Sequence, residues 1–307
     1  MKEVRILSVD AGEDGVRLDR WFKRRWPHLN HVQIQKLTRS GQIRVDGGRA
    51  KPDTRLTGGA QVRVPPLPEA PEPGERADRG LDAREAAYAK SLVLFEDDEV
   101  LVLNKPAGLA VQGGTKTHKH IDRLLSAWGE GLERPRLVHR LDRDTSGVMV
   151  VARGPQAAAA LRAQFQARSV EKRYLALVRG KLSAAEGLID APIGRHPGMR
   201  QRMAVLSGGR EAQTRYRVLL EWPGISWIEA FPRTGRTHQI RVHLASIGHP
   251  VLSDPVYGLP DPRIGRQALH ASRISLDHPQ SGERLSFEAP LPADLAAALE
   301  GLGLPEG

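Results

Sequence analysis

The sequence predicts two domains of the α+β class. A small basic α/β module is expected over residues 1–65 and a larger domain with a mixed, largely antiparallel sheet over 91–303, separated by a proline-rich and charged linker over 66–90. Three observations carry this expectation. Short apolar or alternating runs bounded by Gly, Pro and Asp recur from Ser91 onward, the mark of strands. Two segments with helical spacing interrupt them. The basic charge is concentrated at one end: between Met1 and Val64, 14 Lys and Arg face 7 Asp and Glu, so +7 of the formal net charge of +10 lies there.

Taken in order, residues 17–25 (RLDRWFKRR) and 31–39 (HVQIQKLTR) read as two short amphipathic helices, the second closed by Gly41. Residues 42–45 and 61–64 alternate as strands, with DGG and TGG turns beside them. The run PPLPEAPEPGE over 65–75 cannot build a core and is expected to be a semi-rigid linker, while residues 76–90 are either partly helical or without fixed structure. Residues 92–95 and 100–103 flank EDDE as a hairpin that Asn104-Lys105-Pro106-Ala107-Gly108 terminates. Strands are expected over 174–179, 214–221 and 225–231. One helix should open at Pro155, a favoured first-turn residue, and a second should run from near Thr237 to Gly248.

Composition excludes whole classes of function. With no cysteine, the chain has no disulfide, thiolate nucleophile or cysteine-ligated metal site. No apolar window has the length needed to cross a bilayer, so a cytoplasmic protein without membrane contact is expected. The excess of Lys and Arg, 46 against 36 acidic residues, points to a polyanionic partner.

The most informative stretch is residues 137–151, LVHRLDRDTSGVMVV. One apolar run enters it and another leaves, and between them a tight turn carries Asp142 and Asp144 beside Arg140 and Arg143. A carboxylate flanked by guanidinium groups is kept ionised. It suits a nucleophile or an ion-pair partner, and neither Asp suits the acid role that a glycoside-cleaving pair requires. A second stretch is TGRTHQIRVHL over 234–244. There Arg241 sits one position from the apolar face of Ile240 and Leu244, and a charge at the edge of a core wants a partner. His238 and His243 are the other candidates in this segment, as metal ligands, but their spacing does not place them on one helix face and no carboxylate completes a known pattern.

HRLDRDTSG resembles the catalytic motif of the RluA/RluC/RluD-type ribosomal large-subunit pseudouridine synthases, and residues 1–65 resemble an S4 RNA-binding domain. The likeness runs on through NKPAG, TGRTHQIR, DPVYG and ALHA to EAPLP, and Ser253 replaces the usual glycine before DPVYG. The resemblance implies that Asp142 is the essential aspartate, that Arg241 pairs with it and that Tyr174 stacks on the target base. It further implies that Arg140, with Lys105, His139, Arg143 and Thr145, contacts substrate, Arg140 filling the place of a flipped-out uridine. In the S4-like module the expected RNA contacts are Arg17, Arg20, Lys23, Arg24, Arg25, Gln35, Lys36, Arg39 and Arg44. The implied activity converts uridines of 23S ribosomal RNA to pseudouridine with no cofactor and no metal, in a monomer; Asp142 either attacks the sugar or base or removes a sugar proton. The loop is more like the RluC branch and residues 193–216 more like RluD, with RluC favoured. Two other readings are a RluD-like target set and a non-catalytic RNA-binding assembly factor.

Overall fold

Leu18, Trp21 and Phe22, three and four residues apart, are buried on one face of the first helix and organise the first of two units into which the chain divides, Met1–Arg79 and Gly80–Gly307. The computed structural model describes residues 4–29, 31–68, 80–113, 117–129, 131, 133–199 and 202–303. Residues 69–79 of the expected linker and Gly114 lie outside them.

In the first unit β1 (Arg5–Ser8), α1 (Leu18–Arg25), α2 (His31–Arg39), β2 (Arg44–Val45), β3 (Gly48–Arg49) and β4 (Gln61–Val64) form two helices on a sheet of order β1-β4-β2-β3. Gly41, at φ +71°, lets the backbone turn back so that the Gln42 amide donates to Leu37 O and ends α2. The strand expected over 42–45 shortens to its last two residues. β1 had no signature, because three of its four side chains are exposed and nothing alternates.

The second unit runs through α3 (Ala83–Ser91), β5 (Val93–Glu96), β6 (Val100–Lys105), α4 (Ile121–Leu124), β7 (Arg136–Leu137), β8 (Ser146–Ala152), α5 (Pro155–Ala167) and β9 (Glu171–Arg179). It continues with β10 (Glu186–Asp190), β11 (Ile193–Arg195), β12 (Met203–Val205), β13 (Gln213–Trp222), β14 (Ile225–Pro232), α6 (Gln239–Ser246), β15 (Leu269–Asp277), β16 (Arg284–Glu288) and α7 (Ala293–Glu300). The main sheet has the order β10-β13-β14-β9-β15-β8-β6-β5 and is antiparallel except between β8 and β15.

One expected boundary moves. The unit starts at Gly80, because residues 83–90, assigned to the linker, form α3 together with Ser91. Asp82 caps it by accepting from the Glu85 amide at 2.7 Å, Glu85 returns a bond to the Asp82 amide, and Ala89 joins the core under β6 and β8. That D-x-x-E capping box was the legible signal.

Two apolar clusters flank the middle of the sheet. One packs α3, α4 and α5 on β6 and β8, and the other packs α6 and α7 on β9, β13 and β14. The parallel contact between β8 and β15 lies close to the division, where Gly147 sits at φ +119° and an added Cβ would come 2.1 Å from Ala271 O. Only glycine allows that approach. It fixes the loop before β8 against the start of β15.

Candidate active site

Residues 138–145 join β7 to β8, and their turn is closed by the Thr145 amide donating to Asp142 O at 3.2 Å. Lys105, fully buried at the end of β6, secures the loop from below. Its ammonium donates to Pro106 O, Leu109 O and Arg143 O, each at 2.8 Å. Burial pushes its pKa down to about 7. Three carbonyl acceptors nevertheless require three N–H groups, which only the charged form offers. Gln267 closes the far side by donating to Thr145 Oγ1 at 2.6 Å.

Asp142 meets Arg241 from α6. Nη1 of Arg241 donates to Asp142 Oδ2 at 2.9 Å, while Nε and Nη2 hold Asp254 in a two-pronged contact at 2.6 and 2.9 Å. Arg241 and Asp254 are buried, and Asp254 also accepts the amides of Val256 and Tyr257. Burial opposes the charge on both, but each outweighs it for the other: the Arg241 pKa is raised and that of Asp254 lowered. The guanidinium fork is thus fixed on one side by Asp254 and presents its remaining N–H to Asp142. Asp142 Oδ1 has only a 4.0 Å approach from His238 Nε2.

Asp142 lines a cavity of about 630 Å³. Tyr174 from β9 forms part of the wall; burial, reinforced by the charge of Asp142, pushes its phenol pKa up, so it stays neutral. Lys172 donates to Thr234 O at 3.1 Å, and burial lowers its pKa to about 8. Among the described residues lining the cavity, Asp142 is the sole carboxylate, against Lys172, Arg241 and six further arginines: Arg140, Arg162, Arg168, Arg210, Arg233 and Arg236. Burial, then the neighbouring Arg210 and Arg168, lower the Arg236 pKa, a sign of cation crowding. Such a rim attracts phosphates around a reactive carboxylate.

The residues expected from the sequence divide into two sets. Asp142, Arg241, Tyr174 and the exposed Arg140 come together on this cavity, whose lining also includes His139 and Thr145. Three residues expected to contact substrate have hydrogen bonds within the fold. Lys105 has all its N–H donors on backbone carbonyls and is a positioning residue. His139 accepts the Val150 amide at 2.9 Å and stacks on Phe165 at 4.8 Å, and burial drops its pKa to about 3, so its ring is neutral and committed to the fold. Thr145 is buried in its bond with Gln267. The guanidinium of Arg143 reaches Gly108 O rather than either Asp, so the arginine that touches Asp142 is the distant Arg241.

In the first unit Arg17 pairs with Asp19, Arg25 pairs with Glu13 and lies 4.0 Å over Trp21, Lys23 caps Leu29 O, and Arg44 donates to Gly41 O and Gly47 O. These four have hydrogen-bond or ion-pair partners within the module. Arg20, Arg24, Gln35, Lys36 and Arg39 are exposed on α1 and α2, with no side-chain partner among the described residues. Asp254, His238 and Tyr257 are site residues the sequence reading did not assign. The DPVYG motif held two of them, without a charge pattern to reveal the pairing.

No cluster of metal-ligating side chains occurs among the described residues. His243 is bonded through both nitrogens, to Thr214 Oγ1 and Ala191 O, while the His238 ring turns into the cavity.

A buried arginine presenting a carboxylate to an arginine-rimmed cavity, on a mixed sheet, defines an enzyme for a polyanionic substrate. The RNA pseudouridylate synthase family pattern matches residues 99–246. A ribosomal large subunit pseudouridine synthase D from Nitrosomonas europaea is 41% identical over 96% of this chain and 87% of its own length. A ribosomal large subunit pseudouridine synthase C from Vibrio cholerae is 35% identical over 97% and 96%. Among solved structures, human RNA pseudouridylate synthase domain containing 4 superposes with a TM-score of 0.60 at 27% identity, covering 73% of this chain and 98% of that one. The chain belongs to the RNA pseudouridine synthase family.

Proposed function

We propose that this protein isomerises specific uridines of large-subunit (23S) ribosomal RNA to pseudouridine, with Asp142 as the reacting carboxylate. The observation that carries the reading is the Asp142 side chain, one oxygen held by Arg241, lining an arginine-rimmed cavity. A uridine must leave its stack to enter, at a cost of about a few kcal/mol that stacking and hydrogen bonds inside the site offset. Tyr174 supplies the stacking face, Arg140 takes the vacated place in the RNA, and Arg143 meets a nearby phosphate. The product is an isomer of the substrate, so no net oxidation or group transfer calls for a co-substrate, and the reading includes no cofactor.

The HRLDRDTSG loop favours a C-type set of target uridines. A D-type set is the second reading, supported by residues 193–216 and by the 41% identical relative. Mapping pseudouridines in 23S ribosomal RNA from cells with and without the protein tests both. Sites lost in the deletion and restored by the gene identify the set, and an unchanged map would overturn the assignment. We place the enzyme in the cytoplasm as a monomer acting on large-subunit RNA or its precursor; no helix among the described residues is long and apolar enough to cross a membrane.

The first unit is assigned as an S4-like RNA-binding module acting through the unpaired cations of α1 and α2. Replacing Arg20, Arg24, Lys36 and Arg39 together with Ala should leave the module folded. RNA binding should weaken at every sequence, and the slope of log K against log salt should flatten by roughly 0.7–0.9 for each phosphate that is no longer neutralised. An unchanged slope in filter-binding titrations would show that these residues contact something other than RNA.

A further inference from the structure

His238 is the residue before α6 and adopts a left-handed backbone, φ +56° and ψ +21°, that non-glycine residues rarely hold. Strain of this kind is retained where the surrounding structure enforces it, and it gathers at functional sites. Here it turns the imidazole into the cavity, with Nε2 4.0 Å from Asp142 Oδ1 and Nδ1 2.9 Å from the Tyr257 hydroxyl. The Tyr257 oxygen already accepts the Met203 amide at 2.9 Å. Among the described residues the phenol's own proton has no acceptor other than His238 Nδ1. With the phenol donating to Nδ1, the ring's proton lies on Nε2, on the side of Asp142 Oδ1. At 4.0 Å that N–H is too distant to bond the carboxylate, so it is open to a substrate acceptor in the cavity.

We propose that the His238 Nε2–H is a fixed hydrogen-bond donor to the uracil carbonyls during isomerisation, making His238 a catalytic residue and Tyr257 the positioning residue that sets its tautomer. The assignment rests on Asp142 being the reacting carboxylate. When the C1′–N1 bond breaks, its electron pair stays with the uracil and the negative charge spreads over N1, O2 and O4. O2 is three bonds from the ribose carbon, so a base whose sugar carbon lies at Asp142 brings O2 within reach of the imidazole on the cavity side. A half-turn of the free base about its N3–C6 line exchanges N1 with C5 and O2 with O4. One immobile donor therefore meets O2 before the turn and O4 after it. The electron pair of the uracil anion forms the C5–C1′ bond, C5 releases its proton to water, N1 takes one from water, and His238 keeps its own throughout. The neutral ring this requires agrees with the lowered His238 pKa, which burial dominates over the opposing charges of Asp142 and Asp254, with Arg241 and Arg140 adding to the lowering.

The substrate for the test is total RNA labelled with [5-³H]uridine, prepared from cells lacking the protein, so that every target site is present and unmodified. Tritium is released as C5 loses its proton. His238→Phe keeps the ring and removes the donor; its single-turnover rate should fall by about 10²-fold, the scale for one lost oxyanion donor, with RNA affinity unchanged within about threefold. His238→Gln, whose amide reaches the place of Nε2, should recover at least about tenfold of that loss. Tyr257→Phe should slow the wild type but have no further effect in the His238→Phe background. Long-range ¹H–¹⁵N spectra of histidine-labelled protein should show the His238 signals, identified by their loss in His238→Phe, in the neutral Nε2–H form. An Nδ1–H tautomer, or equal rates for wild type and His238→Phe, would overturn the proposal. Absence of tritium release by the wild type would overturn the RNA-modifying reading itself, a distinct result.

Discussion

Asp142→Asn is expected to abolish pseudouridine formation, with a single-turnover rate lower by about 10⁴-fold or more, while RNA affinity changes by less than about tenfold, roughly 1.4 kcal/mol. The two side chains have the same shape. The amide oxygen of the variant can still accept from Arg241 Nη1, whose fork stays locked on Asp254, so the loop keeps its place. What disappears is the charge on the side chain that lines the cavity. Affinity should survive because phosphate contacts along the arginine rim and on α1 and α2 supply it, and Asp142 opposes them as a like charge to phosphate. Rates should be followed with enzyme in excess over labelled RNA, so that product release does not mask the chemical step. Residual turnover within tenfold of wild type would remove Asp142 from the reaction.

The parts of this site that were legible in the sequence are those where local pattern and chemistry coincide. The run from Val148 to Val151 is apolar on both faces of its strand because β8 lies inside the sheet with helices packed beside it, and the charged turn before it had no place in a core. The α6 segment carried its own conflict, an arginine beside Ile240 and Leu244, and a buried charge demands a partner. That partner is double. Sequence supplied Asp142 through family resemblance, whereas Asp254, thirteen residues after Arg241, looks like any turn residue before a proline. The flanking arginines misled for a physical reason: neighbours along an extended loop point away from one another, so Arg143 reaches Gly108 and Arg140 the solvent, not Asp142. Lys105 and His139 misled in another way. Polar residues inside a motif suggested substrate contact, yet both bond to backbone groups of the fold. Strands such as β10, β15 and β16 were passed over although β15 is largely buried, because LHASRISLD mixes small and polar residues where three other strands and Arg173 approach it.

The Arg241 series should separate charge, orientation and burial. Arg241→Lys keeps a cation but loses the planar fork that serves two carboxylates at once. RNA should bind normally while the chemical step slows by about 10²-fold or more, since misorientation of a reacting group by a fraction of a bond length has that scale. Arg241→Met is expected to be worse in two respects. Activity should fall further, and the fold should lose about 3–5 kcal/mol, because Asp254 is left as an unpartnered charge in the core. The pH dependence carries the sign of this effect. In the wild type the Asp254 pKa is depressed below its ordinary 3.8, so its contribution to stability is present above that value and lost as pH falls below it. In Arg241→Met the orphaned carboxyl should bind its proton more tightly than in the unfolded chain. Stability should then decline as pH rises from about 4 towards neutrality, the reverse of the wild-type trend. Adding Asp254→Leu to Arg241→Met removes the buried charge, and denaturant unfolding should show most of the lost stability restored. Activity should not return, since nothing then holds Asp142 Oδ2. If the double variant recovers both stability and turnover, Arg241 is a structural residue and the Asp142 contact at 2.9 Å has no part in the reaction.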